Sequence, residues 1–430
     1  MKPHGSSSTK IAVALCATVV ALSQASLAAP AAATPTKGEL VEVKGLRVLR
    51  LRGTPRQRGY AHGYLLAREV MQLFNRYGGM IARDRERYET VIRKEIRERF
   101  DFPEEVREEV VGMLAGLGAR LSGEGLSTFL GRPIDETDLL AMQAFPDWYP
   151  IACSSFVAWG ALSPGGPVAG RNLDFFVHPV LLDNHIAIVN ARSGAGDSAR
   201  RAWATITWPG LVGALTGMNE DGTVVFLHDA NARLADAHRG CLPRMLAARR
   251  ILEMAGANAP AADAMALLKD TPTRWGGLIF VAGARAGEAR GAAGCLERDG
   301  RGTSLRLASA DPLARGVDAF ACTNHFRVRA DPRPSERYAT FAERLSTARD
   351  EGAVVDEAFA LATMNDVAQP ITLQSCFFDL RKRTIGVRLS RRSARAVDAT
   401  PVRVTWEELL SGKHLGREEA HTTKITKKAK

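Results

Sequence analysis

Apolar positions recur at helical spacing through the first third of the chain and give way to alternation and short apolar runs beyond Cys153. The spacing predicts a helix from Arg56 to Tyr77, with Gly59 and Gly63 four apart on one face where another element can come close. Two amphipathic helices follow, Arg83 to Phe100 and Pro103 to Leu121, the second with Val106, Val110, Met113 and Leu117 as its buried stripe. Their charged faces are read as solvated. Leu46 to Arg52 alternates apolar and basic residues as a strand does, and Gly53-Thr54-Pro55 turns it into the first helix. Asp135-Glu136-Thr137-Asp138 can cap a further helix through Phe145, before an irregular aromatic stretch from Pro146 to Ile151.

From Cys153 onward the predicted elements are mainly strands. Val157 to Leu162 and Pro167 to Ala169 read as a hairpin across Gly165-Gly166, which returns Arg171 and Asp174 towards Cys153. Further strands are expected at Ile186 to Asn190, Trp203 to Trp208, Val212 to Leu215, Thr223 to His228, Gly277 to Gly283, Ser304 to Ala308, Asp318 to Cys322, Ile371 to Leu380 and Thr384 to Leu389. Helices are expected at Pro243 to Ala255, Ala261 to Lys269, Ser335 to Arg349 and Val355 to Met364. Runs of strands with paired helices predict an α+β fold in which helices cover antiparallel sheets.

Composition narrows the function classes. Of 430 residues, 46% are hydrophobic and 24% charged, which excludes a wholly disordered chain. The net charge of +11 is spread among 47 acidic residues rather than gathered into a stripe, so no nucleic-acid partner is expected. The tail, residues 422–430, is basic through Lys424, Lys427, Lys428 and Lys430 and reads as a solvated terminus. Lys2 and Lys10, the apolar run Ile11 to Leu22, and Ser26-Leu27-Ala28 form the pattern of a secretory signal peptide, residues 1–28, cut after Ala28. Export to a secreted or periplasmic location follows, with no transmembrane segment once the signal is removed. Apart from Cys16, the cysteines are Cys153, Cys241, Cys295, Cys322 and Cys376, an odd number, so one thiol stays unpaired within the chain. Spacing does not assign pairs among the rest. Neither the cysteines nor the nine histidines have the spacing of a metal site, and no metal or cofactor is expected.

A thiol beside a cation and a carboxylate is a combination that makes a nucleophile, because the cation favours thiolate and the carboxylate can orient a proton carrier. A buried structural cysteine is the commoner fate of any one thiol. The order of the pieces carries more. A helical segment ends at Ala152, and Cys153 begins a strand. The hairpin return follows with Arg171 and Asp174, then Gly217-Met218-Asn219-Glu220-Asp221-Gly222, and then Thr323-Asn324-His325-Phe326. With Gly53-Thr54-Pro55, Gly59 and Gly63, Arg239-Gly240 with Pro243 and Arg250, and Ile371-Thr372-Leu373-Gln374, this order resembles the N-terminal-nucleophile (Ntn) hydrolases of the penicillin acyltransferase family, relatives of bile-salt hydrolases and acid ceramidase.

The resemblance implies a four-layer αββα sandwich behind a mostly helical pro-segment. It implies a cut between Ala152 and Cys153 that leaves an α chain (29–152) associated with a β chain (153–430). The α-amine of Cys153, with a pKa of roughly 7.7–8.0 in free peptides, then serves as general base for its own thiol. By the same resemblance Asp174 orients that amine, Arg171 stabilises the thiolate or the substrate carbonyl, Asn324 holds the oxyanion, and Arg337 is the late arginine of the site. Asp229 falls where bile-salt hydrolases place a second oxyanion-hole Asn, and a carboxylate accepts but does not donate unless protonated. Its backbone N–H, the nearby Asn231, or a pocket shaped for another substrate are the open readings. His228, His325 and His178 are either substrate contacts or structural. Trp148, Tyr149, Phe156, Trp159, Phe175 and Phe176 either line a pocket or belong to the core.

The activity implied is cleavage or transfer of the acyl group of a small N-acyl amide through a Cys153 thioester, without cofactor or metal. Lipid amidase or phospholipase-like acyl hydrolase is the alternative within the fold, and a non-catalytic exported binding protein the alternative outside enzymes.

Overall fold

The computed structural model describes residues 34–121, 126–148, 151–194, 199–230, 239–311, 313, 316–329 and 335–411. The leader 1–28, Tyr149, Asn231 and the basic tail 422–430 lie outside the described residues. Strands are numbered along the chain as β1 Gly38–Val43, β2 Leu46–Leu51, β3 Leu126–Ser127, β4 Arg132–Pro133, β5 Ala152–Ala158, β6 Val168–Asp174, β7 Ile186–Asn190, β8 Trp203–Thr207 and β9 Thr216–Asn219. They continue as β10 Val224–Asp229, β11 Gly277–Ala282, β12 Ala293–Asp299, β13 Gly302–Leu307, β14 Ala319–Cys322, β15 Thr372–Asp379, β16 Thr384–Leu389 and β17 Val402–Thr405. Six helices matter most here: α1 Pro55–Leu65, α2 Glu104–Leu121, α3 Arg244–Met254, α4 Pro260–Leu268, α5 Glu336–Glu351 and α6 Glu357–Asp366.

Two large sheets face one another. One has nine strands in the order β1-β2-β7-β8-β9-β10-β11-β12-β13, the other six in the order β14-β5-β6-β15-β16-β17. Neighbours are antiparallel except β2 and β7, which run parallel. Strand alternation sorts the side chains into layers. Val157, Ala169, Phe226, Phe280, Phe320 and Phe378 fill the space between the sheets, with Phe226 stacked on Phe280 at 5.4 Å. Phe156 and Ala158 point the other way, into a core with Phe341, Leu345 and Met364 of α5 and α6. Val225 and Leu227 of β10 pack against Leu246 and Ile251 of α3. The order is helix, sheet, sheet, helix, the expected α+β sandwich.

The segment before Cys153 is part of this architecture. It supplies β1 and β2 to the nine-stranded sheet as well as α1 and α2. Thr54 caps α1 and Asp135 caps Glu136–Gln143, each through a reciprocal box with the residue three positions on. Where α1 and α2 cross, a Cβ added at Gly59 or Gly63 would lie closer than 3.0 Å to the backbone of Glu109 or Met113, and one at Gly112 or Gly116 would meet the backbone of Arg56 or Tyr60. Glycine faces glycine, so the two backbones touch.

The expected strand at Val212 to Leu215 is absent, and the ladder begins one residue later at Thr216. The backbone groups of that apolar run are taken by helices: Val212 N donates to Gln143 Oε1 (2.8 Å) and Ala214 N to Met245 O (3.0 Å). The helices expected at Arg56 to Tyr77 and Arg83 to Phe100 are interrupted by π turns at Phe74–Gly78 and Tyr88–Ile92.

Replacing a helical glycine by alanine ordinarily gains about 1 kcal/mol of helix propensity. At the crossing the overlap outweighs this, since forcing atoms into a packed interface costs about 1–3 kcal/mol. Gly63→Ala and Gly112→Ala are expected to lower the free energy of urea unfolding by about 2 kcal/mol each. Gly118→Ala, where an added Cβ meets nothing within 4 Å, is expected to raise it slightly.

Candidate active site

Cys153 is the second residue of β5, paired with Leu173 of β6, while Ala152 pairs with Asp174 and Ser155 with Arg171. Opposed residues of an antiparallel pair share a face and successive residues alternate. The Cys153 thiol and the Arg171 side chain therefore lie between the sheets, and Asp174 lies on the helix-covered face with Ala152 and Ser154. The contacts follow this division. Cys153 Sγ donates to Leu227 O of β10 at 3.4 Å, and Arg171 Nη2 donates to the same carbonyl at 2.6 Å. Arg171 also lies over the Phe226 ring, 5.7 Å from its centroid, with its Nη1 lacking a partner.

On the other face, Arg337 at the start of α5 reaches four groups. Its Nη1 donates to Cys153 O (2.9 Å), Ser154 Oγ (2.7 Å) and Asp174 Oδ2 (3.2 Å), and its Nη2 donates to Asn324 Oδ1 (2.8 Å). Asn324 Oδ1 also accepts the backbone N–H of Cys153 at 2.9 Å. The Asn324 amide nitrogen donates to Ile151 O (3.2 Å) and Asp229 O (2.7 Å). Thr372 Oγ1 donates to Asp174 Oδ1 at 2.6 Å. Charge-assisted bonds of this kind are the strong ones. Arg337 and Asn324 thus engage the main chain of Cys153 rather than its sulfur, and Arg337 ties Asp174 and Ser154 to them.

Burial pushes the Cys153 thiol up to about 11, against the pull of the Arg171 cation. Burial likewise raises the Asp174 carboxyl above its ordinary range, although Thr372, Arg337 and Arg171 oppose it. His228 sits wholly inside with its Nε2 2.9 Å from Ser155 Oγ, and burial holds it well below the usual imidazole range.

A cavity of about 380 Å³ opens at this point, lined by Ile151, Ala152, Asp174, Phe175, Phe176, Asp229, Trp275, Asn324, Arg337 and Ile371. Ile151 and Phe175 also line a narrow apolar slot of about 40 Å³ with Tyr77, Phe145, Trp208 and Leu215.

The structure brings together Cys153, Arg171, Asp174, Asn324 and Arg337, which come from four separate stretches of sequence. The Asp229 side chain belongs to a different network. Its Oδ1 accepts from Arg244 Nη1 and Trp275 Nε1, both at 2.9 Å, and Arg244 N in turn donates to Asp147 Oδ2 at 3.1 Å. Asn231 lies outside the described residues. His178 caps Pro179–Asp183 by accepting from Val180 N, and His325 Nδ1 meets Thr323 Oγ1 at 3.1 Å. Of the aromatic candidates, Phe175 and Phe176 line the cavity, Phe156 packs on Phe341, Trp148 on Phe100, and Trp159 is buried.

Sequence reasoning missed Thr372, Trp275, Arg244 and Asp147. Thr372 stands inside Ile371-Thr372-Leu373-Gln374, and Arg244 follows Pro243. Nothing local distinguishes Asp147 or Trp275.

No family model matches the chain. Among curated proteins, protein dcd1A of Dictyostelium discoideum is 27% identical over 197 residues, 41% of this chain and 42% of that protein. The chain thus spans about two-fifths of the length of this curated relative. Among solved structures it is similar to the Caenorhabditis elegans ortholog of N-acylethanolamine-hydrolyzing acid amidase, with TM-score 0.39 and 20% identity over 53% of this chain and 93% of that one. Penicillin V acylase from Agrobacterium tumefaciens gives TM-score 0.37 and 13% identity over 55% and 83% of the two chains. A variant of conjugated bile acid hydrolase from Clostridium perfringens gives 0.38 and 12% over 61% and 100%. These are proteins of the kind that the sequence resembles.

Replacing Arg337 by Gln leaves the Asp174 carboxyl buried without its nearest cation, which at neutral pH is expected to cost about 3–5 kcal/mol. The sign with pH is fixed by the raised Asp174 pKa. A carboxyl whose folded pKa lies above its unfolded value contributes most below the unfolded value and loses that contribution as pH rises through the folded one. Arg337→Gln raises the folded value further. The stability difference between wild type and variant should be small near pH 4 and widen towards neutrality, as measured by chemical denaturation across that range.

Proposed function

We propose that the chain is an exported, self-processing cysteine amidohydrolase or acyltransferase acting on a small N-acyl amide. Engagement of the Cys153 carbonyl by Arg337 and of its backbone N–H by Asn324, with Asp174 bonded to the same Arg337, carries this reading. A nucleophile served by a histidine base needs its polar partner at the sulfur, whereas one served by its own α-amine needs partners at the backbone nitrogen.

In the uncut chain the Cys153 thiol attacks the Ala152 carbonyl, the C–N bond breaks, and the nitrogen takes a proton to become the α-amine. Water then hydrolyses the Ala152 thioester, leaving a carboxyl-terminated α chain and a β chain that begins at Cys153. Departure of Ile151 and Ala152 releases an Asn324 N–H from the Ile151 carbonyl, and that donor is then available to a substrate oxyanion. In turnover the amine takes the thiol proton, the sulfur attacks the substrate carbonyl, and the amine returns the proton to the leaving nitrogen. The resulting thioester goes to water or to an acceptor amine. Asp174 and Asn324 hold the amine, Arg337 holds both of them, and Arg171 acts on the sulfur through space. Asp229 contributes its backbone carbonyl as an anchor for Asn324, while its side chain shapes the cavity wall with Trp275.

Contacts between the two segments support continued association after the cut. Buried Glu109 accepts from Arg249 Nη1 at 2.9 Å, Gln143 bonds both Gly210 O and Val212 N at 2.8 Å, and Gly210 N donates to His62 at 2.9 Å. The parallel pairing of β2 with β7 adds to these.

The apolar slot beside the cavity and the exposed cavity-lining Phe176 and Ile371 favour an apolar acyl group. They keep the lipid amidase as the second reading.

The N-termini and masses of the purified protein test the proposal. Wild type is expected to yield a fragment beginning at Cys153 that Cys153→Ala lacks, and a stable uncut yet active wild type would sink it. Because the Asp174 site already disfavours the charged form, Asp174→Asn is expected to fold normally while processing and hydrolysing an N-acyl amide at least about tenfold more slowly. Unchanged rates would remove its role at the amine.

A further inference from the structure

Cys295 and Cys322 come from different sheets and meet in the space between them, with their sulfurs 3.6 Å apart and both residues fully buried. They sit in an existing clasp. Two residues along the same face of β12, buried Glu297 accepts the backbone N–H groups of Arg327, Val328 and Arg329 at 2.8, 3.0 and 3.1 Å. Arg306 of β13 crosses the same gap, donating to Ala321 O at 3.0 Å and lying over the Phe320 ring at 4.4 Å. β12 and β13 thus hold both sides of the short segment that carries Asn324, at Ala321–Cys322 and at Arg327–Arg329.

We propose that Cys295 and Cys322 form a disulfide that joins the two sheets beside Asn324. A bond requires the sulfurs to close from 3.6 Å to about 2.05 Å. The oxidant is a disulfide donor, R–S–S–R, of the kind present in oxidising compartments. One protein thiolate attacks the donor, releasing R–SH once protonated and forming a mixed disulfide. The second then attacks the protein sulfur of that mixed disulfide and expels the second R–SH, so the donor is reduced as the two cysteines are oxidised.

Since both sulfurs are inaccessible in the folded chain, exchange with the donor takes place as the sheets come together. In the folded chain the Cys153 sulfur lies against Leu227 O rather than with this pair. The proposal stands apart from whether the chain cleaves itself.

The full chain, refolded with a mixture of oxidised and reduced glutathione, is denatured in acid, alkylated without reductant, digested and mapped by mass spectrometry. A peptide pair joining Cys295 to Cys322, lost on prior reduction, is expected, with Cys153 alkylated. Alkyl label on both Cys295 and Cys322, or a bridge from either to another cysteine, overturns the proposal. A second readout uses the Cys295→Ala/Cys322→Ala double variant. Reductant is expected to lower the melting temperature of wild type by several degrees and to leave that of the variant unchanged. Equal responses of the two proteins would show that the cross-link is absent.

Discussion

The Arg337 guanidinium is the interaction on which the centre depends. It bonds the Cys153 carbonyl, Ser154, Asp174 and Asn324 together, joining β5, β6, the segment after β14 and the first turn of α5. A planar cation with several fixed N–H directions suits this place better than an ammonium, which offers a point charge without fixed geometry. Its own position is fixed from outside. Ser335 caps α5 by accepting from Tyr338 N, and the Phe341 and Leu345 side chains anchor the helix on the six-stranded sheet. The outer helix layer thereby sets the angle at which charge reaches the Cys153 backbone.

The opposite layer performs a comparable task from the other direction. α1 and α2, locked together by facing glycines, present Glu109 to Arg249 of α3, and α3 presents Arg244 to Asp229. An unpaired buried charge would be costly, so these pairs constrain how the N-terminal helices seat on the nine-stranded sheet. Burial raises the Glu109 pKa, but Arg249 and Arg58 more than reverse it and hold the carboxylate below its usual range.

Much of this was legible in sequence because it rests on local signals. The hairpin through Gly165-Gly166 places Arg171 and Asp174 beside Cys153, and alternation gives the strands of both sheets. The close approach at Gly59 and Gly63 was also legible, though its partners, Gly112 and Gly116, were not singled out. What escaped depends on tertiary partners. The run Val212–Leu215 has the apolar character of a strand, but Gln143 and Met245 claim its backbone. β12, with Ala, Gly and Cys at its start, has weak strand propensity and is held by its neighbours on both edges. Asp229 stands where bile-salt hydrolases, which the sequence resembles, place an Asn; of the two residues that engage it, Arg244 follows Pro243, whereas Trp275 carries no local mark.

The pleat of β5 places Cys153 and Ser154 on opposite faces, one against β10 and the other against Arg337. Whether a thiol or a hydroxyl faces Leu227 is consequently stored as a parity. Insertions in the turn between β5 and β6 leave it untouched so long as the ladder keeps its pairing, but a slip by one residue would turn a hydroxyl towards Leu227 and the thiol towards the guanidinium. The chemistry of this region tolerates changes of loop length and is sensitive to an odd count within the strands.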